Sequence, residues 1–121
     1  MDTNVLTIDR ETLRQKLTRG DDIKLVNSLS EWDFKRKRIP GSLHFDTPEA
    51  MLSALRVDDE IVVYCSNLAC RLSIAAYHLL VDHGYTRVRR YAEGLADWES
   101  AGLPLEGTWV DAAPPKSTDS A

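Results

Sequence analysis

Apolar positions in this chain follow two alternating rhythms. Ile23 to Asn27 (IKLVN) and Glu60 to Tyr64 (EIVVY) are short, dense apolar runs, the pattern of strands covered on both faces of a parallel sheet. Arg87 to Tyr91 reads as another strand. Between them apolar residues recur at helical spacing. Leu13 and Leu17 share one face over Arg10 to Arg19, with Asp9 placed to cap the start and Gly20 to stop it. Ser30, with Asp33 three residues on, opens a helix of about two turns through Trp32, Phe34 and the basic run from Lys35 to Arg38. Ile39-Pro40-Gly41 breaks it, leaving a short extended piece from Ser42 to Phe45. Thr47-Pro48-Glu49 starts a helix to about Arg56, because proline suits the first helical position. Leu72 to His83 carries Ile74, Ala75, Tyr77, Leu79 and Leu80 at helical spacing before Gly84. Glu93 to Ala101 carries Leu95 and Trp98 before Gly102 and Pro104. Val5 to Ile8 is a short apolar start.

Strands alternating with helices predict an α/β domain with a mostly parallel sheet and helices on both faces. In such sheets, sites form beyond the carboxyl ends of the strands. A chain of 121 residues holds one such domain. It is expected over residues 1–107, since from 108 to 121 the composition turns polar and proline-containing, as in a disordered tail. Trp32, Tyr91 and Trp98 are expected in the core or at its rim. The run from Lys35 to Arg38 is expected to be a solvated helix end.

A net charge of −4 argues against broad electrostatic binding to nucleic acid or to an anionic membrane. The longest uncharged apolar stretch falls far short of the ~20 residues of a membrane helix. The first residues lack the basic start and apolar core of a signal peptide. A reducing, cytoplasmic location is therefore expected. His44, His78 and His83 fit no metal-ligand spacing, and two cysteines alone do not make a zinc site.

The candidate chemistry lies in IVVYCSNLACRLS, residues 61–73. An apolar strand ends on Cys65, a short loop holds Cys70 and Arg71, and a helix follows. Free N–H groups at a helix start, together with its dipole, make an anion cradle. A cysteine facing it should have a lowered pKa and hence more of the nucleophilic thiolate. Arg71 could add a fork of donors for an oxyanion. Cys70 is expected mainly to pack. If it points inward, it could attack an oxidised or persulfidated Cys65. A bridge between the two would close a tiny loop and suits a redox switch better than a structural staple.

Four segments in order give the chain a family resemblance. LVNSLSEWDFKRKRIPGSLHF, IVVYC, LLVDHGYTRVRRY and AEGLADWESAGLPLEG together resemble the rhodanese-like domains over about residues 5–107. The resemblance implies a three-layer α/β fold with a central five-stranded, mostly parallel sheet. It implies sulfur transfer through a persulfide on Cys65, with the loop of Ser66, Asn67, Leu68, Ala69, Cys70 and Arg71 holding that persulfide through backbone N–H groups. The implied partners are a small sulfur donor such as thiosulfate and a thiophilic acceptor, which a protein thiol could supply. No cofactor and no metal are implied, and the compact domain is expected to be a monomer.

The chain departs from the family pattern in three places. Its loop looks about two residues longer than the common Cys-x-x-Gly-x-Arg-Ser form and has no glycine. Asn27 stands where an aspartate is frequent and Leu29 where an arginine is frequent. The spacing from Cys65 to Arg71 equals that of the cysteine phosphatases, some of which share the rhodanese fold with a longer loop. An oxyanion phosphatase or arsenate reductase using Cys65 and Arg71 is therefore the rival enzyme. A catalytically silent binding or sensing domain is the third reading.

Overall fold

In a computed structural model, the described residues are 5–67 and 69–108. Along them run helix α1 (Arg10–Arg19), strand β1 (Ile23–Asn27), helices α2 (Glu31–Arg36) and α3 (Pro48–Ala54), strand β2 (Glu60–Tyr64), helix α4 (Leu72–Asp82), strand β3 (Val88–Tyr91) and helix α5 (Gly94–Ser100). The strands form a parallel sheet in the order β1-β2-β3. Every strand and helix expected from the apolar pattern is present, within two residues at each end.

The helix starts follow from local chemistry. The side chains of Asp9, Ser30 and Thr47 each accept a hydrogen bond from the backbone N–H three residues ahead, at Thr12, Asp33 and Ala50. Each satisfies a donor that the first turn would otherwise leave unpaired. Gly20 ends α1 in the left-handed conformation, at φ +82°.

Three strands stand where the resemblance implies five. On one flank, Leu43 forms a single parallel bridge with Val26. On the other, Thr7 bridges Arg90, with Ile8 N–H donating to the Arg90 carbonyl at 3.0 Å and Arg90 N–H to that of Leu6 at 2.8 Å. Each outer segment pairs for too short a stretch to form a strand among the described residues.

Strand alternation sorts the core into two layers. Leu25, Val62, Tyr64 and Tyr91 pack with Leu13 of α1 and with Leu95 and Trp98 of α5. Val26, Ile61, Val63 and Val88 pack with Met51 of α3 and with Tyr77 and Leu80 of α4. Successive strand residues face opposite sides, so Cys65, following Tyr64, continues the α4-facing series of Ile61 and Val63. By the same rule Arg90 shares the face of Val88. Trp32 departs from its expected place. It is 67% exposed, and the Arg36 guanidinium covers its ring at 4.0 Å from the centroid. One turn apart on the outer face of α2, the two side chains stack instead of entering the core.

Tyr64 joins the sheet to the turn after α2. Its hydroxyl accepts from Asn27 Nδ2 and from Ile39 N–H, both at 3.1 Å. That leaves its own proton for Ser42 Oγ at 2.6 Å, and Ser42 donates onward to the Ile39 carbonyl at 2.6 Å. Asn27 Oδ1 accepts from Leu29 N–H at 2.8 Å. An amide at position 27 thus supplies a donor to Tyr64 and an acceptor to the backbone, where a carboxylate would only accept.

Candidate functional site

The site begins where β2 ends. Cys65 is 1% exposed and lies at the carboxyl end of the central strand. Its backbone is clamped to α5: Leu95 N–H donates to the Cys65 carbonyl and Ala96 N–H to that of Ser66, both at 2.8 Å. These bonds satisfy two first-turn donors of α5. The close approach requires Gly94. A Cβ there would lie 2.5 Å from the Cys65 carbonyl oxygen and 2.9 Å from the Ser66 carbonyl carbon, and its φ is +69°. A side chain fits neither the space nor the backbone conformation.

The Cys65 sulfur points toward α4 and lies 3.3 Å from Ser73 Oγ. Ser73 is fully buried and accepts from Arg90 Nε at 2.8 Å. Cys65 is disulfide-bonded to Cys70 in this structure, so its sulfur carries no proton and the Ser73 hydroxyl is the donor between them. On reduction the same hydroxyl is placed to donate to a Cys65 thiolate. Arg90 is itself 7% exposed, and its Nη2 reaches the Cys70 carbonyl at 3.0 Å. Burial lowers the pKa of Arg90, and the charge of Glu93 opposes that shift. The guanidinium still holds its positive charge at neutral pH. One buried cation therefore connects the backbone of one cysteine with the hydroxyl that faces the other.

Three expectations about the loop change. Arg71 is exposed and precedes α4 without capping it. No hydrogen bond or ion pair ties its side chain to another described residue, and the arginine that enters the site is Arg90. Cys70 is bonded to Cys65, across a Cα–Cα distance of 6.4 Å, instead of packing passively. The loop N–H groups are also partly committed: Cys70 N–H donates to the Asn67 carbonyl at 3.1 Å and Ala69 N–H to Asn67 Oδ1 at 3.0 Å. Asn67 thus accepts from the N–H groups of Ala69 and Cys70 in the way its short amide favours. Leu68 lies outside the described residues. So does the expected tail, apart from Thr108, whose hydroxyl donates to the Lys35 carbonyl at 3.3 Å.

Beside the loop is a cleft of about 310 Å³, lined by Ser66 and Asn67 and by Arg36 and Lys37 from the end of α2. The basic run therefore borders the site instead of being only a solvated helix end. A larger, mainly apolar cavity of about 650 Å³ lies between α3 and α4; Leu29 lines both it and the cleft beside the loop, and Leu72 lines it at the start of α4. Arg90 has a sequence signal that spacing within the loop hides. In RVRRY, period-two alternation puts Arg90 on the same buried face as Val88, and a buried charge in a parallel sheet demands partners.

The profile of the rhodanese-like domain matches residues 9–101. The chain belongs to that family. A sulfurtransferase of Allochromatium vinosum is 30% identical over 100 residues, covering 81% of this chain and 92% of that protein. A rhodanese-like domain of an Anabaena protein, solved by NMR, superposes with a TM-score of 0.78 at 22% identity, covering 95% of this chain and 89% of the other. A human single-domain sulfurtransferase superposes with a TM-score of 0.66 at 24% identity, covering 80% and 97%. This rhodanese-like domain thus shares its fold with those structures, and the α/β architecture expected from its sequence is the family's. Among its described residues no helix is long and apolar enough to cross a membrane.

Proposed function

We propose that this rhodanese-like domain is a sulfurtransferase that carries sulfane sulfur as a persulfide on Cys65. The observation that carries the reading is the chain of contacts Arg90–Ser73–Cys65 at the end of β2. A hydroxyl donor aimed at the sulfur, backed by a buried cation, favours the thiolate over the thiol. The similarity to the Allochromatium vinosum sulfurtransferase supports the same reaction class.

In the reduced protein, the Cys65 thiolate attacks the outer sulfur of a donor such as thiosulfate. The Cys65 S–S bond forms, the donor S–S bond breaks, and sulfite leaves with the electron pair of the broken bond. A thiophilic acceptor then takes the outer sulfur and returns Cys65 as thiolate. Both half-reactions are nucleophilic displacements at sulfur. The cleft beside the loop offers a donor a way in, with the cations Arg36 and Lys37 on its wall set against the carboxylates Asp33 and Glu99. The protein thiols of a reducing cytoplasm are the acceptors this reading favours, and a monomer suffices for it.

Among the described residues, no contact favours the phosphatase or arsenate reductase reading. Its arginine, Arg71, points to solvent, and two N–H groups that would hold an oxyanion are bonded to Asn67. The deciding experiment is intact-protein mass spectrometry of the reduced domain after thiosulfate treatment. Wild type should gain one sulfur, ~32 Da, or release it as sulfide, with one sulfite formed per protein. Cys65→Ser should form no sulfite. A wild-type protein that stays reduced and forms none would leave a silent binding domain as the better reading.

A further inference from the structure

Resting on the sulfur-transfer reading, we infer that Cys70 is a second catalytic thiol, which discharges the Cys65 persulfide as hydrosulfide. The two sulfurs are bonded in the structure, so the loop already adopts a conformation in which one reaches the other. Nothing in the backbone has to move far. Asn67 winds the loop back by accepting from both Ala69 N–H and Cys70 N–H. Arg90 holds the far end of that turn through the Cys70 carbonyl, and through Ser73 it also holds the hydroxyl beside Cys65. A nucleophile tethered five residues away and fixed at both ends acts at a very high effective concentration.

The step balances without an external oxidant. The Cys70 thiolate attacks the inner sulfur of the Cys65 hydropersulfide. The Cys65–Cys70 bond forms, the bond to the outer sulfur breaks, and that sulfur leaves as hydrosulfide with its proton and the electron pair. Across the whole sequence, thiosulfate is reduced to sulfite and hydrosulfide while the two cysteines are oxidised to the disulfide. The Ser73 hydroxyl that Arg90 holds, 3.3 Å from the Cys65 sulfur, is placed to lower the cost of negative charge there. A dithiol reductant must then open the disulfide by thiol exchange before the next turnover. The acceptor class is therefore a dithiol reductant, and the sulfur product is free hydrosulfide rather than a new persulfide on a partner.

A single-turnover measurement tests this with the full chain. The protein is reduced with an immobilised phosphine, separated from it under argon, and mixed with thiosulfate in the absence of any other thiol. Sulfite, sulfide and intact mass are followed together. Wild type should release one sulfite and one sulfide per protein and finish ~2 Da lighter than the reduced chain. Cys70→Ser should release sulfite, release no sulfide, and remain ~32 Da heavier. Wild type that releases sulfite yet keeps the added sulfur would overturn the role of Cys70 while leaving sulfur transfer intact. Sulfide release by Cys70→Ser at the wild-type rate would overturn it equally. Absence of sulfite from wild type would remove sulfur transfer itself, and this inference with it.

Discussion

The cation linked to Cys65 through Ser73 comes from a residue twenty-five positions away. Arg90 orients and polarises Ser73, whose hydroxyl lies 3.3 Å from the sulfur. It is a positioning residue, so its effect should show in the titration of the thiol. In a Cys70→Ser background, Arg90→Gln should move the pH midpoint of Cys65 alkylation upward by about one unit. A hydrogen bond to a charged group is worth about 1.5–3 kcal/mol, and one pH unit corresponds to about 1.4 kcal/mol. Arg71→Ala should leave the midpoint where it is. An unmoved profile in Arg90→Gln would reduce the guanidinium to a packing element. Cys65 was legible in the sequence because a thiol closing an apolar strand falls at a sheet's reactive end. Arg90 was harder to find. Its closeness to Cys65 arises from the pairing of β2 with β3, which aligns Val63 with Arg90 and Tyr64 with Tyr91. The loop sequence itself offered Arg71, near in number and far in effect.

At the scale of elements, the loop and α5 meet at a close backbone approach that two 2.8 Å hydrogen bonds hold. Gly94→Ala should destabilise the domain by at least about 2 kcal/mol, since it combines a left-handed backbone with a Cβ driven into the Cys65 carbonyl. Gly20→Ala is the control. Its φ is also positive, at +82°, but nothing lies within 4 Å of the added methyl, so about 1 kcal/mol is expected. Chemical denaturation of both variants measures the difference. Equal losses would show that backbone conformation alone sets the cost and that the carbonyl yields. The capped helices and the dense central strands were readable in advance, because caps and periodicity are local signals. The width of the sheet was not. Ser42 to Phe45 looks extended in sequence and Val5 to Ile8 is a short apolar start, yet each pairs through a single bridge. Whether an extended piece becomes a strand depends on how many partners the neighbouring edge presents, which no local pattern records.

At the scale of the molecule, two tyrosines on neighbouring strands, both facing the layer of α1 and α5, keep their protons to tie that layer to its polar partners. Burial raises the pKa of Tyr64 above its usual 10.0, against its hydrogen bonds with Ser42, Ile39 and Asn27, which lower it. Burial likewise raises that of Tyr91, helped by its hydrogen bond to Asp97. A raised folded pKa means that the folded state binds the proton more tightly than the unfolded chain does. That stability is fully present below about pH 10 and is lost as pH rises further, through the folded values. Thermal unfolding should therefore show a falling melting temperature above about pH 10, and the fall should be shallower in Tyr64→Phe. At neutral pH the same variant should be less stable by about 1–3 kcal/mol, because it leaves Asn27, Ile39 and Ser42 without their shared partner. A Tyr64→Phe curve parallel to wild type would place the alkaline loss elsewhere.

The two ends of the described chain are not equivalent places to hang something. Leu6 accepts from the amide of Arg90, whose guanidinium grips Cys70, so the leading segment and the sulfur loop are fastened to opposite ends of one residue. Thr108 is fastened instead to the Lys35 carbonyl, at the end of α2. A dye or affinity handle attached ahead of Val5 is therefore expected to disturb the cysteine pair more than the same handle attached beyond Thr108.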